Sequence, residues 1–274
     1  MGEGEQVDPI LSSAVEEILR RHPDDERARR AHRVLDGPLR VAVRGRPGTG
    51  RDTLARALRD QLAVAPIVPG DDLEDADVWC HALVGWPRSE DLDELRRLPL
   101  DRTVVVLAKA DTLGGWDEAI ERAQECAARI GMPVTPVMSL LACVDLSDDE
   151  VAFLHEMVAT GETVPSMAAT FVVGESDERM MRTRLLRRLD QYGLLTACDE
   201  IADALAVGRR CATAQLNALL ARESGVAALR PVLEDMWPTV VVHRREVVAG
   251  LLDRIAASGV ERDAIEATLA GVRG

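Results

Sequence analysis

Between residues 39 and 137, short β-branched runs alternate with stretches of helical periodicity, and past residue 146 such runs stop. The runs are 39–44, 78–84, 103–107 and 134–137, with helical spacing over about 53–62, 89–98 and 116–130 between them. Such alternation predicts a parallel sheet with crossover helices, because parallel neighbours cannot be joined by a tight turn. Upstream, Asp8 can cap a helix with Pro9 at its first position, and Ile10, Leu11, Ala14, Val15, Ile18 and Leu19 share one face. A second short helix is expected over 24–35, after His22-Pro23 breaks the first. Downstream, Ser147 with Glu150 is a capping box opening a helix to about Ala159. Residues 161–174 then read as a loop, and 176–190, 196–223, 226–237, 240–257 and 261–270 as helices punctuated by Gly225, Pro238 and Gly259. The expected organisation is N-terminal helices over 1–37, with residues 1–7 disordered, an α/β domain over 38–146 and an α-helical region over 147–274.

Charge narrows the partners. The 274 residues hold 47 acidic and 33 basic side chains, a formal charge of −14, and only one of the basic residues is a lysine, Lys109. Sequence-independent binding of nucleic acid or anionic lipid needs clustered cations, so neither is expected. No apolar run approaches the ~20 residues of a membrane span, and no signal-like segment opens the chain, so a cytoplasmic protein without a transmembrane segment is expected. Cys80, Cys126, Cys143, Cys198 and Cys211 are odd in number and lack C-x-x-C spacing, so they read as buried thiols in a reducing compartment rather than as metal ligands.

The sharpest motif is Gly45-Arg-Pro-Gly-Thr-Gly-Arg-Asp-Thr53, between a strand and a helix. Gly45-x4-Gly50 is the spacing of a phosphate-cradling Walker A loop, in which backbone N–H groups and a helix N-terminus face the anion. Gly45, Gly48, Thr49 and Gly50 would form the cradle. Arg51 stands where lysine is usual and Asp52 where Ser or Thr would meet magnesium, with Thr53 one place late. Arginine brings charge without a compact ammonium, and Asp52 sets a carboxylate where phosphate should lie. The competing reading is a glycine-rich turn without a ligand.

A second motif ends the run at 103–107: Val104-Val-Val-Leu-Ala-Lys-Ala-Asp111. It resembles the [N/T]-K-x-D motif of GTPases, where the aspartate accepts hydrogen bonds from guanine and the lysine stem lies across the base. Ala108 replaces the first residue, while Lys109 and Asp111 stand in register. The alternative is a solvated lysine at a strand end. Further on, Ser139 and Leu140 partly match the loop whose backbone touches guanine. A switch segment D-x-x-G is not found between the glycine loop and Lys109. Asp71 or Asp72 is a conceivable metal ligand there, against the plainer reading of a solvated turn, and Leu73-Glu-Asp-Ala-Asp-Val-Trp79 resembles the entry to the strand after the second switch.

Together these segments resemble a reduced, degenerate member of the actinobacterial dynamin-like GTPases, the isoniazid-inducible type. Leu185-Leu-Arg-Arg-Leu-Asp-Gln-Tyr-Gly193 and Ala221-Arg-Glu-Ser-Gly-Val226 extend the resemblance beyond the nucleotide domain, over about 38–258. It implies a P-loop GTPase-like parallel sheet with flanking helices, followed by a stalk-like helical region. It also implies GTP or GDP as ligand, magnesium as its companion, and an intact dynamin-like GTPase as partner through the helical half. With the eroded motifs, the expected function is weak guanine-nucleotide binding or none, little hydrolysis, no assigned catalytic residue, and a role as interaction partner. The alternatives are an active dynamin-like GTPase and a P-loop ATPase or kinase using Arg51 and Asp52 unconventionally. Met157, Met180 and Met181 read as core, the Arg182–Arg188 cluster as a solvated helix face, and His155 and His243 as structural.

Overall fold

The computed structural model describes residues 7–67, 73, 76–165, 168–172 and 174–273. Asp8 caps α1 (Pro9–Arg21), accepting from the Ile10 and Leu11 N–H groups at 3.0 and 3.1 Å. Asp25 does the same for α2 (Glu26–Asp36). Their apolar faces, Leu11, Val15 and Ile18 on one and Ala28, Ala31, Val34 and Leu35 on the other, close into a shared core. The expected disorder of residues 1–7 falls, except for Val7, outside the described residues; Val7 itself is buried in this core.

Next come β1 (Arg40–Arg44), α3 (Arg51–Leu62), β2 (Ala65–Ile67), β3 (Val78–Leu83), α4 (Ser89–Leu95), β4 (Thr103–Ala108), α5 (Trp116–Ile130) and β5 (Val134–Val137). The strands form one all-parallel sheet in the order β2-β1-β3-β4-β5. β4 is buried at every position, as expected of a parallel strand covered on both faces. The expected α/β class and the four expected strands are present. β2 is additional, a three-residue edge strand containing Pro66, too short and too interrupted to give a β signal.

The remaining elements are helical: α6 (Ser139–Ala142), α7 (Asp148–Ala159), α8 (Ala168–Phe171), α9 (Ser176–Ala206), α10 (Thr213–Glu223), α11 (Leu229–Ala257) and α12 (Arg262–Arg273). Ser147 and Glu150 form the expected reciprocal capping box at α7. Three boundaries differ from expectation. The stretch read as a loop over 161–174 contains α8. The helix read over 196–223 is divided, α9 ending at Ala206 and α10 opening at Thr213, while the helix end read at 190 coincides with a break in helical geometry inside α9 at Asp190 (φ 54°, ψ −175°). Pro238 lies inside α11 instead of ending a helix. It removes one N–H, but Leu233 on one side and Val240 on the other are sunk in the sheet's core, and that packing holds the helix through the proline.

α11 joins two cores, giving Leu229, Leu233 and Val240 to the sheet and Val248, Leu251, Leu252 and Ile255 to α1, α2 and α12. Midway, Arg244, 2% exposed, meets Asp77 with Nε–Oδ1 2.9 and Nη2–Oδ2 2.5 Å and donates to the carbonyls of Gly37 and Pro38. Asp77 also accepts from the Arg40 N–H. The cysteines are unpaired, three buried and two half-buried, and burial pushes the Cys80 and Cys198 thiols up to about 12. No helix among the described residues is long and apolar enough to cross a membrane.

Candidate functional site

Residues 45–53 leave β1 and enter α3. Gly45 (φ 131°) passes so close to β3 that a Cβ there would lie 2.5 Å from the Ala82 carbonyl oxygen. Gly50, at φ 86°, is the residue from which α3 starts. Both positions need glycine, one for space and one for conformation. Gly48, also at positive φ, borders open space. Thr49 is buried, and its hydroxyl donates to the Arg46 carbonyl at 2.9 Å, so it is spent within the loop. Arg51 and Asp52 occupy the first turn of α3 and enter no ion pair among the described residues; Asp52 is exposed and Thr53 half-buried.

Lys109 follows β4 with φ 57°, a left-handed conformation that costs a lysine roughly 1 kcal/mol. The exposed Lys109 reaches back toward the glycine loop: a Cβ on Gly50 would lie 3.8 Å from its Cε. Asp111 follows in a 3₁₀ turn over Ala110–Leu113 and is half-buried. Burial pushes its carboxyl above the ordinary range, a backbone hydrogen bond opposes this, Asp190 of α9 adds to it and Lys109 works against it.

β5 runs beside β4 with Val137 opposite Ala108, so residues following the two strands emerge side by side. Ser139 is buried at the start of α6 with no hydrogen-bond partner for Oγ among the described residues, and Leu140 is half-buried. α6 is tied to α3, Arg56 donating to the Cys143 carbonyl and Gln61 to that of Ala142. The structure thus brings Gly50, Lys109, Asp111, Ser139 and Leu140 to one end of the sheet.

The two downstream motifs converge on the same loop. A Cβ on Gly193 of α9 would lie 2.5 Å from Leu141 Cδ2, and one on Gly225 would lie 2.5 Å from Trp116 and 2.9 Å from the Pro136 carbonyl. Ser224 O accepts from the Met138 N–H at 2.8 Å. The spacing around Tyr192-Gly193 and Ser224-Gly225 therefore has a local cause: helices pressed against the β5–α6 connection.

Sequence reading missed a buried network behind the loop. Both oxygens of the fully buried Asp91 take Arg46 Nε at 3.0 Å, Oδ2 takes the Arg88 N–H at 2.9 Å, and Oδ1 lies 3.4 Å from His81 Nε2. Arg44 pairs with Glu94 at 2.7 Å, and Glu94 lies 3.7 Å from His81 Nδ1. The only sequence signal was acidic residues near the start of a helix, which ordinarily marks a cap.

Among the described residues no three His, Cys, Asp or Glu side chains assemble as a metal site. Asp71 and Asp72, with Glu74 and Asp75, lie outside the described residues. Of the donors at the loop, Thr49 is engaged internally and Asp52 is a single exposed carboxylate, a set that does not fit magnesium. No protein-family model matches the chain, and no curated protein matches it.

Proposed function

We propose that the chain is a guanine-nucleotide-binding protein with little hydrolytic activity. What supports this most is Lys109: the single lysine sits in a left-handed conformation at a strand end with its side chain at Gly50. In this reading Gly45, Gly48 and Gly50 shape the phosphate cradle, and Arg51 adds charge at the N-terminus of α3. Asp111 and the loop at Ser139 and Leu140 take the guanine edge. Asp52, an anion in the first turn of α3, favours the empty helix end and opposes phosphate, which is why affinity is weak. The helical half acts on a partner, an intact dynamin-like GTPase being the one the resemblance implies.

Titration of labelled GTP, GDP and ATP into the purified protein, with Asp111→Ala as control, tests the reading. GTP and GDP binding that the substitution removes supports it. Absence of binding at high micromolar nucleotide overturns it, and ATP preference indifferent to Asp111 supports an ATPase or kinase instead. Robust GTP turnover by the protein alone overturns the claim of weak hydrolysis.

A further inference from the structure

The first half of α9 contradicts the expectation that Arg182–Arg188 is simply a solvated face. Arg182 is buried, bonded to Glu162 and Glu178, and lies over the rings of Phe153 and Phe171 at 5.7 and 5.2 Å. Met180, expected in the core, is 64% exposed, while Met157 is buried and Met181 half-buried. On the outer face a groove of about 470 Å³ is lined by Arg179, Met180, Thr183, Arg184, Arg187 and Arg188.

We propose that this groove docks an acidic amphipathic peptide segment of a partner protein. The chain carries −14, yet four guanidinium groups gather here. Among the described residues their one anionic partner is the fully buried Glu150, which pairs with Arg184 at 2.9 Å and Arg188 at 2.7 Å. Arg188 also donates to the Asp145 carbonyl, and Arg179 to that of Gly174. Arg187 is exposed and makes no ion pair among the described residues. The groove therefore holds an excess of cation, with Arg184 and Arg188 positioned by a carboxylate that cannot leave.

Shape selects the occupant. Residues 180, 184 and 188 form one helical row and 179, 183 and 187 the row beside it, together about 13 Å long at 1.5 Å per residue. Met180 and the arginine stems give this strip an apolar floor, with charged heads at its edge. A compact phosphate would engage one or two guanidiniums and leave the rest idle. Carboxylates repeated along a helix or strand, with apolar residues between them, match the whole strip, and arginine suits bidentate pairing with each. Nucleic acid would meet the same cations while being repelled by the rest of the surface.

The test uses a fluorescein-labelled fourteen-residue peptide of Glu and Leu at helical spacing, followed by anisotropy with the full chain. Binding is expected at low salt, reduced as salt rises, and weakened about tenfold or more by Arg179→Glu with Arg187→Glu, as expected when two charge contacts are reversed. Neither residue pairs with a buried carboxylate and Arg179 gives up only an exposed bond to the Gly174 carbonyl, so circular dichroism should be unchanged and melting nearly so, and Arg187→Lys should retain most of the binding. The Asp111→Ala variant should bind the peptide normally, which separates this surface from the nucleotide reading. Failure of the peptide to bind below about 1 mM, corresponding to roughly 4 kcal/mol of affinity, overturns the proposal. So does indifference to the double substitution, equal competition by inorganic tripolyphosphate, or preference for duplex DNA.

Discussion

The Lys109 side chain spans the gap between the end of β4 and the start of α3, its Cε 3.8 Å from where a Gly50 side chain would begin. Two sequence-distant motifs are thereby placed at one point, with the lysine exposed enough to exchange water for a ligand. Lys109→Ala should leave the fold intact, since the side chain is exposed, and weaken GTP and GDP binding roughly 10- to 100-fold, the scale of one charged hydrogen bond. Titration beside a circular dichroism spectrum checks both halves.

Asp52 gives the opposite expectation. Its carboxylate stabilises the N-terminus of α3 where a phosphate would do the same. Asp52→Ser should therefore tighten nucleotide binding about tenfold while lowering the melting point of the free protein slightly. An unchanged or weaker affinity would show that Asp52 lies apart from the phosphate.

Asp111 can accept two hydrogen bonds from guanine only when ionised, and burial raises its carboxyl above the ordinary range. GTP affinity should climb as pH rises through that raised value and then level off. Stability should respond in the reverse sense. A carboxyl whose folded value exceeds its unfolded one favours the folded state while protonated, and that stability is lost as pH rises past the unfolded value. At neutral pH Asp111→Asn should thus melt higher than the parent and bind guanine nucleotide poorly. Paired melts and titrations from acid to neutral pH would expose a variant that moves both in the same direction.

Much of this arrangement was legible wherever one residue type decides a local outcome. Asp8 and Ser147 cap helices because a side-chain oxygen satisfies otherwise orphaned N–H groups, and the apolar run of β4 declares burial on both faces. Legibility failed where long-range packing overrides local preference. Pro238 marks a helix end by itself, and only the core around Val240 keeps α11 continuous. The helix end read at 190 does fall at the positive φ of Asp190, but the immediate resumption of α9 beyond it, with Leu189 and Gly193 packed in the interior, has no local signal. The loop and Lys109 could each be read from spacing, but their meeting depends on strand order. The Arg46–Asp91 tie joins residues 45 apart, which no local pattern announces.

Asp77 and Arg244 bind the helical half to the sheet through a buried bidentate pair. Removing one partner strands the other charge, so Asp77→Ala and Arg244→Ala should each cost about 3–5 kcal/mol. The Asp77→Ala/Arg244→Ala double variant should be less destabilised than the sum of the singles, since neither charge is then left alone. Urea melts of the three variants would reveal simple additivity if the pair were uncoupled.

His81 supplies the acid-side prediction. Its ring is fully buried, facing Asp91 and Glu94, with Arg44 and Arg46 held by those same carboxylates. Burial lowers its pKa, the two carboxylates partly oppose this, and Arg44 reinforces it. The folded chain therefore resists a proton that the unfolded chain accepts near pH 6.5. Stability from this site is complete above that value and falls as pH drops below it, by at most about 1.4 kcal/mol per pH unit for one proton. His243, also lowered mainly by burial, adds a similar slope over the same range. His81→Gln should flatten the dependence between about pH 6.5 and 5 while leaving the contribution of His243, whatever its cost at neutral pH. Urea midpoints across that interval measure it, and a slope equal to the parent's would place the proton uptake elsewhere.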